Sequence, residues 1–92
     1  MKINFYATLR QIVGQKTVRL DLERSCTVQE LLNTVLERYP PMRSELVDEQ
    51  GELYPHVHIF VNGRDAPYLD KAMQTALQPD DKVDIFPAVG GG

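Results

Sequence analysis

The run from Thr27 to Pro41 constrains the fold more than any other part of the chain. Val28, Leu31, Leu32, Val35, Leu36 and Tyr39 recur at three- and four-residue intervals, the spacing that lines one face of an α-helix. Thr27-Val28-Gln29-Glu30 forms a capping box, in which a threonine hydroxyl and a glutamate carboxylate satisfy each other's backbone N–H groups. Cys26, just ahead of it, can pack on Leu31 as a hydrophobic staple. Pro40-Pro41 ends the helix, because neither ring can continue the hydrogen-bond ladder. A helix with one apolar stripe must bury that stripe against another layer, and the flanking segments supply it.

Those segments alternate with the period of strands. In residues 2–7, Ile3, Phe5 and Ala7 oppose Lys2, Asn4 and Tyr6. Thr8-Leu9-Arg10-Gln11 has capping-box spacing and predicts a short helical turn stopped by Gly14, with Leu9, Ile12 and Val13 closing one end of the core. Thr17 to Leu22 alternates again, and the short connection makes the first two strands antiparallel. After the helix, Met42, Leu46 and Val47 suggest a second short helix, and Asp48 to Gly51 a turn. His56 to Val61 is a strand with Val57, Ile59 and Val61 inward; Asn62-Gly63 is a hairpin turn returning through Arg64-Asp65-Ala66. Met73, Ala76 and Leu77 suggest one turn of helix. Gln78 to Asp81 turns into a last strand, Lys82 to Phe86, with Val83 and Ile85 inward and Asp84 and Phe86 outward. The fold class is α+β: a mixed sheet of about five strands with one long helix across one face. Residues 1–89 form the domain and residues 90–92 a tail.

Ninety-two residues suffice for one modest core. The net charge of −3 and the scattered basic residues argue against a nucleic-acid partner. No apolar run approaches the ~20 residues of a membrane span, and the N-terminus lacks a signal-peptide pattern. The expected setting is cytoplasmic. Cys26, the one cysteine, reads as a small hydrophobe. His56 and His58 lie two apart on one strand, with Asp84 on another, but lack the further ligands of a metal site. Asp80 and Asp81 are adjacent in a turn and make a poor acid–base pair. No serine or glycine loop has a catalytic or phosphate-binding context. The chain is expected to hold no catalytic residue and no metal of its own.

Chemistry is instead expected at Gly90-Gly91-Gly92, where only backbone and an ionised α-carboxylate act. A glycine run has wide backbone freedom and is thin enough for a narrow channel. If the helix covers one sheet face, Tyr6, Phe60 and Phe86 share the other. An aromatic patch there marks a partner surface, a homodimer contact or merely singly exposed rings.

Together these segments resemble the ubiquitin-like β-grasp sulfur carriers, the ThiS/MoaD family of the molybdopterin synthase small subunit, the thiamin sulfur carrier and the cysteine-pathway carrier. Phe5-Tyr6-Ala7-Thr8-Leu9-Arg10-Gln11-Ile12-Val13-Gly14 resembles the opening strand and turn, Val61-Asn62-Gly63 the hairpin, and Asp81 to Val89 with the following glycines the closing strand and tail. Gly90 departs from the side-chain-bearing residue often found before the diglycine. The resemblance implies that Gly92 is adenylated by a ubiquitin-activator-like enzyme, which uses ATP, and is converted to a thiocarboxylate that donates sulfur. It implies that Gly90 and Gly91 thread the channel, that Phe86, Phe60, Tyr6, Pro87 and Val89 meet the partner, and that no cofactor is bound permanently. The 41–55 stretch favours a molybdopterin or cysteine pathway over thiamin, with a molybdopterin synthase large subunit or a cysteine synthase as sulfur acceptor, and Pro87-Ala88-Val89 resembles the cysteine-pathway carrier more than the Pro-Pro-Val common in molybdopterin subunits. Two other readings stay open: a protein modifier joined through Gly92 to lysines, and a non-covalent β-grasp interaction module.

Overall fold

Alternation of apolar and polar residues sets the strands, and turn chemistry sets where they end. The computed structural model describes residues 1–20 and 26–87. In chain order the elements are β1 (Lys2–Phe5), α1 (Thr8–Val13), β2 (Thr17–Arg19), β3 (Cys26–Thr27), α2 (Val28–Arg38), α3 (Arg43–Leu46), β4 (His58–Val61), β5 (Arg64–Asp65), β6 (Ala76–Leu77) and β7 (Lys82–Phe86). Five strands form one sheet in the order β2-β1-β7-β4-β5. β1 and β7 run parallel, while β1–β2, β4–β7 and β4–β5 are antiparallel. The fold is therefore a mixed-sheet α+β domain, as expected.

The register stacks apolar residues on one face. Ile3 lies opposite both Val18 and Val83, and Ile85 lies opposite both Phe5 and Ile59. All six are buried, in one core with Val28, Leu31, Leu32, Val35 and Leu36 of α2. Each such side chain gains about 1.5–3 kcal/mol on leaving water, offsetting the entropy of ordering its backbone. Thr27 caps α2 as the sequence predicts: Glu30 N–H donates to Thr27 Oγ1 at 3.1 Å, and Thr27 N–H donates to Glu30 Oε1 at 3.0 Å. Cys26 packs against the same core.

Several expectations are corrected. Among the described residues α2, the helix that packs on the sheet, has 11 residues, and α1 and α3 have 6 and 4. Pro40-Pro41 breaks the ladder, and the chain resumes helical turns only through a 3₁₀ segment at Pro40–Met42. Thr8 does not cap α1. Ala7 occupies that position with φ 52° and ψ −127°, and Thr8 Oγ1 instead donates to Glu45 Oε2 at 3.4 Å. The first strand stops at Phe5 rather than Ala7 because the chain turns at that positive φ. Gly14 does stop α1, in the left-handed conformation at φ 86°. Met73 does lie in a single 3₁₀ turn, Ala72–Gln74, but Ala76 and Leu77 are extended and pair antiparallel with Cys26 and Thr27. The second strand is described through Arg19, followed by buried Leu20, and the rest of its expected span lies outside the described residues. The hairpin at Asn62-Gly63 is as predicted, with φ 51° and 86° matching the type I′ turn. No helix among the described residues is long and apolar enough to cross a membrane.

Candidate functional site

The outer face of the sheet gathers the aromatic residues that the strand pattern places there. Tyr6 and Phe86 stack with ring centroids 4.1 Å apart and planes 11° from parallel. Phe60 meets Phe86 edge-on, at 5.6 Å and 87°. His58 lies tilted beside Phe60 at 5.9 Å. Topology explains the cluster: β7 runs between β1 and β4, so the ring of Phe86 has a neighbour from each side. All three rings are half-buried, each leaving part of its surface to solvent. The Lys16 ammonium sits 5.4 Å from the centre of the Tyr6 ring, within cation–π range.

Beneath the rings lies a group that strand alternation alone misplaces. Asp84, expected to face solvent, does point to the outer face but is only 7% exposed, and it is the one buried charged residue among those described. It accepts hydrogen bonds from Tyr6 Oη and from Asn4 Nδ2, both at 2.9 Å. Asn4 Oδ1 in turn accepts from Thr17 Oγ1 at 2.6 Å, so a polar ladder crosses β2, β1 and β7. A buried carboxylate is tolerated only where donors replace the lost water. Its hydrogen bond from Tyr6, then burial, then its negative charge together raise the Tyr6 phenol above its ordinary 10.0. The ladder thus fixes the Tyr6 ring where it stacks on Phe86. An aspartate on the outward side of a strand was the only signal; its partners follow from the β1–β7 register, which no local pattern reveals.

The histidines separate. His58 Nδ1 pairs with Asp65 Oδ2 at 2.8 Å across the β4–β5 hairpin rather than with Asp84, and His56 is exposed. No cluster of three or more histidine, cysteine, aspartate or glutamate side chains fit for a metal occurs among the described residues. Tyr68, 76% exposed, is a surface aromatic that the strand pattern did not single out.

The expected site residues therefore divide. Tyr6, Phe60 and Phe86 converge, and Pro87 is buried where β7 ends. Val89, Gly90, Gly91 and Gly92 lie outside the described residues. The aromatic cluster sits on the strand that leads into them.

Comparison with known proteins places this arrangement in context. The sequence profile of the ThiS family matches residues 3–92. Small archaeal modifier protein 3 of Haloferax volcanii is 38% identical over 92 residues, spanning 100% of this chain and 98% of that one. A protein of Archaeoglobus fulgidus that bears the name of a sulfur carrier is 31% identical over 80 residues, covering 87% of this chain and 89% of its own. The crystal structure of SAMP1 from Haloferax volcanii superposes with a TM-score of 0.83 at 32% identity, over 100% of this chain and 98% of that one.

Proposed function

The chain belongs to the ThiS family, and on that premise we propose that it carries sulfur as a thiocarboxylate on Gly92, loaded and unloaded by partner enzymes. One observation carries the reading: the half-buried aromatic cluster is built around Phe86, at the end of the strand that leads through Pro87 to the glycines. A docked enzyme that grips this cluster also holds the root of the tail. Tyr6, Phe60 and Phe86 are the docking residues, Pro87 and Val89 guide the exit, and Gly90 and Gly91 thread the channel.

The chemistry belongs to the partner, a ubiquitin-activator-like adenylating enzyme, and the chain supplies no catalytic group. A carboxylate does not accept sulfur directly, because an oxide ion is too poor a leaving group. An oxygen of Gly92 attacks the α-phosphorus of ATP, and pyrophosphate departs. The resulting acyl-adenylate is a mixed anhydride with AMP as leaving group. The terminal sulfur of a persulfide displaces AMP, and a thiol then cleaves the sulfur–sulfur bond, leaving the thiocarboxylate on Gly92. That sulfur passes to a synthase of the molybdopterin or cysteine type.

A second reading is favoured by the likeness to a small archaeal modifier protein. There the same activated Gly92 is captured by a lysine amine, giving an isopeptide bond.

Intact-mass spectrometry of the chain after incubation with ATP, adenylating enzyme and a persulfide donor separates them. A mass gain equal to exchanging one oxygen for one sulfur, lost on deleting Gly91 and Gly92, is the expected result. Species joined through Gly92 to lysines favour the modifier. The unchanged mass alone refutes both.

A further inference from the structure

The strand register places three cations side by side at the end of the sheet away from the aromatic cluster. Lys2 lies directly opposite Arg19 on one side and opposite Lys82 on the other. All three alternate in phase with Asn4, Thr17 and Asp84, so they share the outer face, and all three are exposed. Like charges directly opposite one another on neighbouring strands are destabilising. Among the described residues one long ion pair relieves them in part, Lys82 Nζ to Asp84 Oδ2 at 3.9 Å, while Lys2 and Arg19 have none. Asp80 and Asp81 border the same cleft and offset part of this charge, but neither makes an ion pair with the three cations, and the Asp81 oxygens are held by Asn62 Nδ2 and Gln78 N–H. A chain of net charge −3 thus concentrates positive charge on the one face that also carries its aromatic cluster.

We propose that Arg19, Lys2 and Lys82 form the electrostatic half of the docking face, and that they meet a carboxylate-bearing surface of the protein whose apolar pocket takes Tyr6, Phe60 and Phe86. Lys2 and Tyr6 are four positions apart, as are Lys82 and Phe86. At about 3.3 Å per residue the partner's acidic groups lie roughly 13 Å from its apolar pocket. The inference rests on the carrier reading, since the partner it addresses is the adenylating enzyme. The two halves do different work. Exposed charges at a rim govern the rate of encounter and its salt dependence, whereas buried aromatic contacts govern how long the complex lasts.

The test is stopped-flow association of the full chain with the purified adenylating enzyme of the same organism. It is run near 0.01 M and near 1 M salt, where charges are screened beyond about 30 Å and about 3 Å respectively. The expected result is an association rate for the unaltered chain that falls about tenfold or more at high salt. The Lys2→Gln/Arg19→Gln/Lys82→Gln variant associates at the high-salt rate under both conditions. Lys2→Arg with Lys82→Arg, which keeps the charge, restores the fast salt-sensitive rate. Phe86→Asp shortens the lifetime of the complex but leaves the salt dependence of association in place. A triple-Gln variant that associates as fast as the unaltered chain at low salt overturns the inference, and does so with the carrier reading intact if Phe86→Asp still weakens the complex. No association by the unaltered chain overturns both.

Discussion

Replacing Ala7 by glycine is expected to stabilise the domain. Ala7 has φ 52° and ψ −127°, the first central position of a type II′ turn that Leu9 N–H closes on the Tyr6 carbonyl at 3.1 Å. Glycine is the usual residue there, because a Cβ crowds the backbone at that φ. A non-glycine residue held in such a region costs of order 1–3 kcal/mol. Against that relief, glycine loosens the unfolded chain by about 0.4–1 kcal/mol. Ala7 is exposed, so little packing is lost. The net gain is about 0.5–2 kcal/mol, a rise in Tm on the order of 2–16 °C for a domain of this size. Urea unfolding followed by circular dichroism should show a higher midpoint at unchanged m. Gly14→Ala is the matched control. Its φ is 86° and an added Cβ meets nothing within 4 Å, so the expected loss of about 1–2 kcal/mol is purely conformational. If Gly14→Ala destabilises while Ala7→Gly leaves the midpoint unchanged or lowers it, the reasoning about Ala7 is wrong.

Other substitutions probe the core and the polar ladder. Thr27→Ala removes the side-chain half of the capping box and should cost about 1 kcal/mol in urea unfolding. Leu32→Ala, at a position 1% exposed, should cost about 2–5 kcal/mol in the same assay, depending on how far the cavity collapses. Tyr6 should ionise above the ordinary tyrosine value of 10.0, seen as late phenolate absorbance in an ultraviolet pH titration, and Asp84→Asn should bring it back down. Because the folded value is the raised one, the stability it confers is complete below pH 10.0 and is lost as pH rises through the folded pKa. Unfolding midpoints for the unaltered chain should therefore fall faster with pH in that alkaline range than those of Tyr6→Phe.

What the sequence made legible is local. α2 could be read because its stripe, its Thr27–Glu30 box and its Pro40-Pro41 stop agree with one another. Asn62-Gly63 could be read because few dipeptides suit two successive positive φ angles. Alternation alone puts the three aromatic residues on one face, and there they converge. The misread features depend on partners far away in the chain. β3 and β6 have two residues each, too few to show a period, and Leu77 is extended only because Cys26 pairs with it. Thr8-Leu9-Arg10-Gln11 carries capping-box letters, yet the turn at Ala7 and the reach of Thr8 to Glu45 decide otherwise. Asp84 looked solvent-facing because alternation gives a direction and not a cover. Its cover comes from Tyr6 and Asn4, about 80 residues earlier in the chain.

The place of β7 has a consequence for biosynthesis. The last described strand sits at the centre of the sheet, with β1 on one side and β4 on the other. A ribosome that stops short of Lys82 leaves both of those strands with open edges and the core without Val83 and Ile85. Open edges invite aggregation, and a chain that cannot close its core is exposed to proteases. A chain truncated before Lys82 is therefore expected to aggregate or be degraded rather than fold. Completion of the sheet requires synthesis through Lys82–Phe86, the strand that leads to the glycines.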